Sequence, residues 1–181
     1  MSGHDGGPTG EALDALPPLP AERPGRVLTV CLGNICRSPT GEAALVEAAE
    51  AAGLALEVDS AGTGDWHLGH PPNPDMRTVA SAEGLELRGT AQLVDPELLR
   101  WADLVLVMDR KNLADVTRIA ADADVATPVR LFRSFDPERE TEDEVPDPYG
   151  GPREGFEEVL AICRRAARAI VSVWQGPEEP R

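Results

Sequence analysis

One stretch, VLTVCLGNICRSP at residues 27–39, constrains the fold more than any other part of the chain. Its first four residues form the short β-branched run that is typical of a strand buried on both faces. Gly33 and Asn34 follow, and these residue types adopt left-handed backbone geometry most readily. Ser38 and Pro39 predict a helix start, with a capping hydroxyl and then proline at the first helical position. The pattern therefore predicts a strand, a tight loop and a helix.

Such a loop forms an anion site that carries a nucleophile. Several backbone N–H groups point into one concavity, and the helix N-terminus adds positive potential there. Cys31 lies at the end of the strand, where this environment favours the thiolate. Arg37 follows six residues later, and its planar guanidinium can bind a phosphoryl group bidentately. A thiolate, N–H donors and a guanidinium are what a phosphocysteine mechanism requires. The predicted phosphate-binding residues between and beside them are Leu32, Gly33, Asn34, Ile35, Cys36 and Ser38.

Residues 31–39 resemble the signature of the low-molecular-weight protein tyrosine phosphatases. The resemblance continues in the family's order through SAGTGDWH at 60–67, VMDRKN at 107–112 and VPDPYG at 145–150. It covers roughly residues 26–174. It implies the family's fold and its two-step hydrolysis of phosphate esters, without a metal or other cofactor.

The rest of the chain predicts the same class of fold. Strand candidates at 54–58, 104–108 and 129–132 alternate with amphipathic or capped helices. This alternation predicts a three-layer, Rossmann-like α/β fold, with a four-stranded parallel sheet and helices on both faces. Ligands in such sheets bind beyond the carboxyl ends of the strands, where Cys31 is expected to lie.

The domain boundaries follow from composition. Residues 1–26 contain ten Gly or Pro residues and little apolar periodicity, so we expect a disordered N-terminal extension. The phosphatase domain is predicted over 27–176, and 177–181 form a short C-terminal tail.

The leaving alcohol needs a proton donor, and the resemblance identifies Asp147 as this general acid and later base. The local sequence does not select it, because 138–147 is a run of acidic residues on a long polar loop. Asp143 and Glu144 are equal candidates on local grounds alone.

The resemblance also assigns Trp66 and Tyr149 as aromatic walls of a slot for a phenyl ring. Ordinary packing for Trp66 and turn chemistry for Tyr149 are the alternatives. Asp109 is expected to cap a helix and support the loop rather than act as a catalyst. Loop support should differ from the family pattern, because Arg88 stands where a bracing histidine is common.

Cys36 has two possible roles. In relatives of this kind the second cysteine forms a protective disulfide with the oxidised nucleophile, here Cys31; the alternative is a thiol that packs in the loop. A zinc set of Cys31, Cys36, His67 and His70 is disfavoured, because its spacing fits no zinc pattern well and Arg37 would repel the ion.

The charge balance excludes some partners. The chain has 32 acidic and 17 basic residues and a net charge of −15, which argues against nucleic acids and anionic membranes. The first residues lack the features of a signal peptide, and three cysteines form no disulfide framework. We therefore expect a cytoplasmic enzyme, with export by a signal-free route left open. The expected partners are a phosphotyrosine protein or peptide as substrate and inorganic phosphate as product; the oligomeric state is not predicted.

Three rival functions are considered. Arsenate reductases of this fold need a further cysteine pair, whereas only Cys163 is left over here. Phosphoarginine phosphatases of the family tend to have threonine where Ile35 stands, and an apolar Ile35 suits an aryl ester better. A non-catalytic phosphopeptide-binding module would not need Cys31 and Asp147. The sequence therefore favours a phosphotyrosine phosphatase.

Overall fold

A computed structural model describes residues 15–176 and contains one four-stranded parallel sheet. Its strands are β1 (Gly25–Cys31), β2 (Leu56–Gly62), β3 (Leu104–Val107) and β4 (Val129–Leu131), arranged in the order β2-β1-β3-β4. The chain moves from β1 to β2 on one side and then crosses to β3 on the other. The carboxyl end of β1 therefore lies at the switch point where such sheets bind ligands. The predicted three-layer fold is confirmed.

The helices cover both faces of the sheet. They are α1 (Arg37–Ala52), α2 (Pro74–Ala82), α3 (Pro96–Trp101), α4 (Arg110–Asp122) and α5 (Arg153–Gln175), with a 3-10 turn at Phe132–Phe135. Helices α1, α2 and α5 pack together in one apolar cluster, and α3 and α4 contribute to a second. Alternate β1 residues point into the two clusters: Val27 and Cys31 into the first, Leu28 and Val30 into the second. No helix within residues 15–176 is long and apolar enough to cross a membrane.

The folded part begins earlier than the predicted residue 27. Strand β1 begins at Gly25, and the preceding segment packs against the domain. The Trp174 indole N–H donates to the Pro17 carbonyl at 3.0 Å, and the Arg23 guanidinium pairs with Asp103 at 2.8 Å. Composition missed these contacts because their partners lie far along the chain. The rest of the predicted extension, residues 1–14, and the predicted tail at 177–181 lie outside the described residues.

Two local predictions near the loop are wrong in detail. Helix α1 begins at Arg37, one residue before the predicted cap, and Cys36 at the N-cap position makes no side-chain cap. The Ser38 hydroxyl is directed instead toward Cys31. Strand β2 continues to Gly62, well past the predicted end at residue 58, because it pairs with β1 along the full length up to Cys31. The predicted Asp109 cap is confirmed, and Asp109 forms a reciprocal capping box with Asn112.

Candidate active site

Cys31 ends the central strand and is held by two polar contacts. Its side chain is buried, and the Asn34 backbone N–H donates to Sγ at 3.3 Å. The Ser38 hydroxyl oxygen lies 3.0 Å from the same sulfur. These contacts and the N-terminus of α1 surround the sulfur with polar groups, as a positioned nucleophile requires.

The loop between β1 and α1 turns sharply at one residue, and close contacts form at one glycine within it and at another on β2. Asn34 adopts left-handed geometry with φ of 55°, as predicted, whereas Gly33 does not. Gly33 serves close approach instead, because a Cβ there would lie 3.0 Å from the His67 ring. A Cβ on Gly62, at the end of β2, would lie 2.7 Å from the Leu32 carbonyl oxygen. The loop therefore requires glycine at position 62, where the obstacle is backbone, whereas a side chain at position 33 would have to displace the His67 ring.

Arg37 is buried beside the nucleophile and is held by Asp109. Its Nη1 donates to Asp109 Oδ2 at 2.8 Å and to the Val145 carbonyl at 3.2 Å. Burial alone would lower the pKa of Arg37, but the neighbouring Cys31 and Asp109 raise it above its usual value. Because Asp109 also caps α4, one carboxylate fixes both a helix start and the guanidinium.

Asp147 faces this cation from the long acidic loop. The Val145 N–H donates to the Met108 carbonyl at 2.8 Å, which attaches the loop to the end of β3. Asp147 Oδ2 then lies 3.8 Å from Arg37 Nη2, and its side chain is 51% exposed. The two rival carboxylates are occupied elsewhere, since Asp143 and Glu144 both bind Arg110. Of these three carboxylates, Asp147 is the one that lines the pocket beside Arg37.

These groups surround one pocket of about 210 Å³. Its ten lining residues are nine of the predicted site residues and His67: Cys31, Leu32, Gly33, Ile35, Cys36, Arg37, Trp66, His67, Asp147 and Tyr149. Trp66 and Tyr149 are 69% and 59% exposed, so they form an open apolar rim rather than packing in the core.

His67 also lines the pocket, although its sequence context indicated only a disfavoured zinc ligand. Its ring centroid lies 5.9 Å from that of Tyr149, which joins the two sides of the pocket mouth. The sequence signal for this role is that His67 directly follows Trp66, a predicted wall of the pocket.

The two predicted residues that do not line the pocket lie behind Cys31. The Asn34 amide nitrogen donates to Ser38 Oγ at 2.8 Å and to Ser60 Oγ at 3.0 Å. Its amide oxygen accepts the Gln92 backbone N–H at 3.0 Å. This network braces the loop. Ser60 and Gln92 were missed as loop supports, because their contacts span 26 and 58 residues of sequence.

Cys36 shares the pocket but differs from the nucleophile candidate. Burial, followed by the charges of Cys31 and Asp147, raises the pKa of Cys36 to about 12. It is therefore a protonated thiol at neutral pH. All three cysteines are free in the structure, so a disulfide with Cys31 stays a prediction. Burial also raises the pKa of Cys163, in the core.

Comparison with known proteins agrees with this geometry. Residues 26–175 match the family model for low molecular weight phosphotyrosine protein phosphatase. A low molecular weight protein-tyrosine-phosphatase of Streptomyces coelicolor is 40% identical over 159 residues, which cover 86% of this chain and 97% of that protein. Low molecular weight protein-tyrosine phosphatase A of Mycobacterium tuberculosis is 38% identical over 146 residues, covering 79% of this chain and 87% of that one.

Solved structures show the same fold. A protein tyrosine phosphatase from Entamoeba histolytica, crystallised with Hepes in its active site, has a TM-score of 0.75 at 30% identity and matches 81% of this chain and 94% of its own. A Drosophila arginine phosphatase has a TM-score of 0.75 at 26% identity, over 79% of this chain and 93% of its own. The sequence motifs, the sheet order and these matches together show that this chain belongs to the low-molecular-weight phosphotyrosine protein phosphatase family.

Proposed function

We propose that this protein hydrolyses phosphotyrosine through a phosphocysteine intermediate, with Cys31 as the nucleophile. The Sγ thiolate attacks phosphorus, the S–P bond forms, and the P–O bond to the tyrosyl oxygen breaks. Asp147, protonated at this stage, gives its proton to the departing phenoxide. Arg37 and the loop N–H groups bind the charge on the transferring phosphoryl group.

The second step regenerates the enzyme. Asp147, now ionised, takes a proton from a water molecule that attacks the phosphocysteine. The S–P bond breaks, inorganic phosphate leaves, and Cys31 returns to its thiolate form. The Ser38 hydroxyl, 3.0 Å from Sγ, is placed to stabilise the sulfur as it leaves in this step.

One observation carries the proposal. The Cys31 sulfur, the Arg37 guanidinium and the Asp147 carboxylate face a single pocket, although they come from the end of β1, the start of α1 and a loop more than 100 residues away. A phosphopeptide-binding module needs the cation but not a nucleophile aligned with an acid. The convergence therefore supports catalysis.

The pocket walls support an aryl ester as the substrate. Trp66 and Tyr149 offer flat apolar faces to a phenyl ring, and Ile35 adds an aliphatic contact beside the loop. A phosphoarginine substrate would bring a polar guanidinium against Ile35. Because a Drosophila arginine phosphatase shares the fold, phosphoarginine is the second substrate to assay.

We place the enzyme in the cytoplasm, where a reducing environment keeps Cys31 and Cys36 as free thiols. The proposed partner is a phosphotyrosine-bearing protein or peptide.

The test is steady-state hydrolysis of an aryl phosphate under reducing conditions, with chelator present throughout. Wild type is expected to turn over, Cys31→Ser to be inactive while still binding phosphate analogues, and Asp147→Asn to lose about 10²- to 10⁴-fold in kcat. Cys163→Ala is the matched control and should retain wild-type activity, because Cys163 does not line the pocket and alanine adds no polar group to the core. Robust turnover by Cys31→Ser would overturn the proposal. Faster hydrolysis of phosphoarginine than of the aryl phosphate would make phosphoarginine the assigned substrate.

A further inference from the structure

The brace behind the active-site loop ends on a carboxylate that the proposed mechanism does not use. Glu42 lies on α1, and its Oε2 is 2.7 Å from the Ser60 hydroxyl. That hydroxyl also accepts from the Asn34 amide, which donates in turn to Ser38 beside Cys31. A continuous set of four short contacts therefore joins Glu42 to the nucleophile: Glu42 to Ser60, Ser60 to Asn34, Asn34 to Ser38, and Ser38 to Cys31.

The Gln92 backbone N–H fixes the orientation of the amide at the centre of this chain. Because Asn34 Oδ1 accepts the Gln92 backbone N–H, its amide nitrogen must face the two serines. Each serine oxygen accepts one of its two N–H groups. The Ser60 hydroxyl donates to the Glu42 carboxylate at 2.7 Å. The Ser38 hydroxyl hydrogen has two acceptors within reach, the Cys31 sulfur at 3.0 Å and the Ala61 carbonyl at 3.4 Å, and the sulfur is the nearer of the two. Glu42 is thus the acceptor that completes one end of the chain.

We propose that Glu42 is a positioning residue for the phosphatase reaction, whose carboxylate holds the Ser60 and Asn34 side chains in the orientation that lets Ser38 donate to Cys31. This inference rests on the proposed function, because Cys31 must act as nucleophile for its orientation to affect turnover. Glu42 does not touch the substrate pocket. It acts through Ser60.

The surroundings of Glu42 make this contact sensitive to pH. Burial raises the pKa of Glu42 to about 7. The charge of Asp59 on β2 also raises this pKa, whereas the hydrogen bond from Ser60 lowers it. Arg88 and Glu86, from the segment after α2, line cavities beside the same carboxylate. The carboxylate form, which is the stronger acceptor, is therefore gained as pH rises through neutrality.

The central test is a double-mutant cycle between Glu42 and Ser60. Glu42→Ala is expected to lower kcat for an aryl phosphate about fivefold at pH 8, the cost of one hydrogen bond, with KM within about twofold. In a Ser60→Ala background the same change should have no further effect on kcat. An equal loss in both backgrounds would show that Glu42 acts only through packing and would overturn the proposal.

The conservative variant tests the role of charge. Glu42→Gln keeps a neutral acceptor, so it should match wild type near pH 5.5 and fall about threefold behind at pH 8. Glu50→Gln is the matched control, since Glu50 is exposed two turns further along the same helix, and its ratio to wild type should stay near one. A Glu42→Gln ratio that is constant with pH would contradict the inference.

A measurement without turnover separates this inference from the proposed function. We expect iodoacetamide to alkylate Cys31 about threefold more slowly in Glu42→Ala than in Glu42→Gln at pH 6, since the two differ in the acceptor but not in charge. Cys36 does not interfere, because its thiol stays protonated. Equal alkylation rates would overturn the role of Glu42 even if the enzyme is active. Inactive wild type with unequal rates would overturn only the proposed function.

Discussion

Replacement of Asp109 should destabilise the fold and disable the active site together. Its Oδ1 accepts the Asn112 N–H that caps α4, and its Oδ2 accepts Arg37 Nη1 at 2.8 Å. Loss of a cap costs about 1 kcal/mol. Loss of a hydrogen bond to a buried guanidinium costs about 1.5–3 kcal/mol, and the lower part applies because the Asp109 side chain is 22% exposed. Asp109→Ala should therefore lower the free energy of unfolding by about 2.5–3 kcal/mol.

Asp95 provides the matched control for this prediction. It caps α3 through the Leu98 N–H at 2.8 Å and does not line the pocket. Asp95→Ala should lose only the cap, about 1 kcal/mol, and keep full activity. Asp109→Ala should also lose roughly 10- to 100-fold in kcat/KM, because Arg37 is no longer oriented. Urea denaturation at constant m-value and an aryl phosphate assay measure both quantities. Equal stability losses in the two variants, or full activity in Asp109→Ala, would refute the reasoning.

Two further predictions concern stability and loop shape. The pKa of Glu42 is raised from 4.5 to about 7 on folding, so ionisation of this carboxyl opposes the folded state. The free energy of unfolding of wild type should therefore fall by up to about 3 kcal/mol as pH rises through this range. Glu42→Gln should not show this loss. Thermal or urea unfolding should therefore show Glu42→Gln more stable than wild type at pH 8 and equal to it at pH 4; the opposite trend would contradict the burial of this carboxylate. Gly62→Ala places a Cβ 2.7 Å from the Leu32 carbonyl oxygen, so the loop must shift, and we expect at least about tenfold loss of kcat and about 1–3 kcal/mol of stability. Gly155→Ala, where the nearest atom is 3.8 Å away, is the control and should retain full activity.

Much of this architecture could be predicted from the sequence because its determinants are local. The apolar run before Cys31, the caps at Asp95 and Asp109 and the apolar stripe of α5 each specify their own element within a few residues. The spacing of Cys31 and Arg37 on one loop is local in the same sense. Together these features predict that the nucleophile lies at the carboxyl edge of the sheet.

The errors arose where a distant partner decides the outcome. Ser38 has the sequence context of a helix cap, but its hydroxyl is directed to Cys31 and Asn34 once the loop closes. Gly33 has the sequence context of a left-handed turn residue, but it does not adopt that geometry, and the His67 ring packs close to it instead. Glu42 gave no local signal, since its role depends on Ser60 from the adjacent strand. Composition likewise could not show that Arg23 would pair with Asp103.

The most direct measurement of the central claim is detection of the phosphocysteine itself. Wild type and Asp147→Asn would be mixed with an aryl phosphate, quenched in acid within milliseconds and analysed by peptide mass spectrometry. The account predicts one phosphoryl group on the peptide that contains Cys31, at higher occupancy in Asp147→Asn because water is no longer activated, and none in Cys31→Ser. A phosphoryl group on another residue, or turnover with no phosphorylated Cys31 at any time, would contradict it.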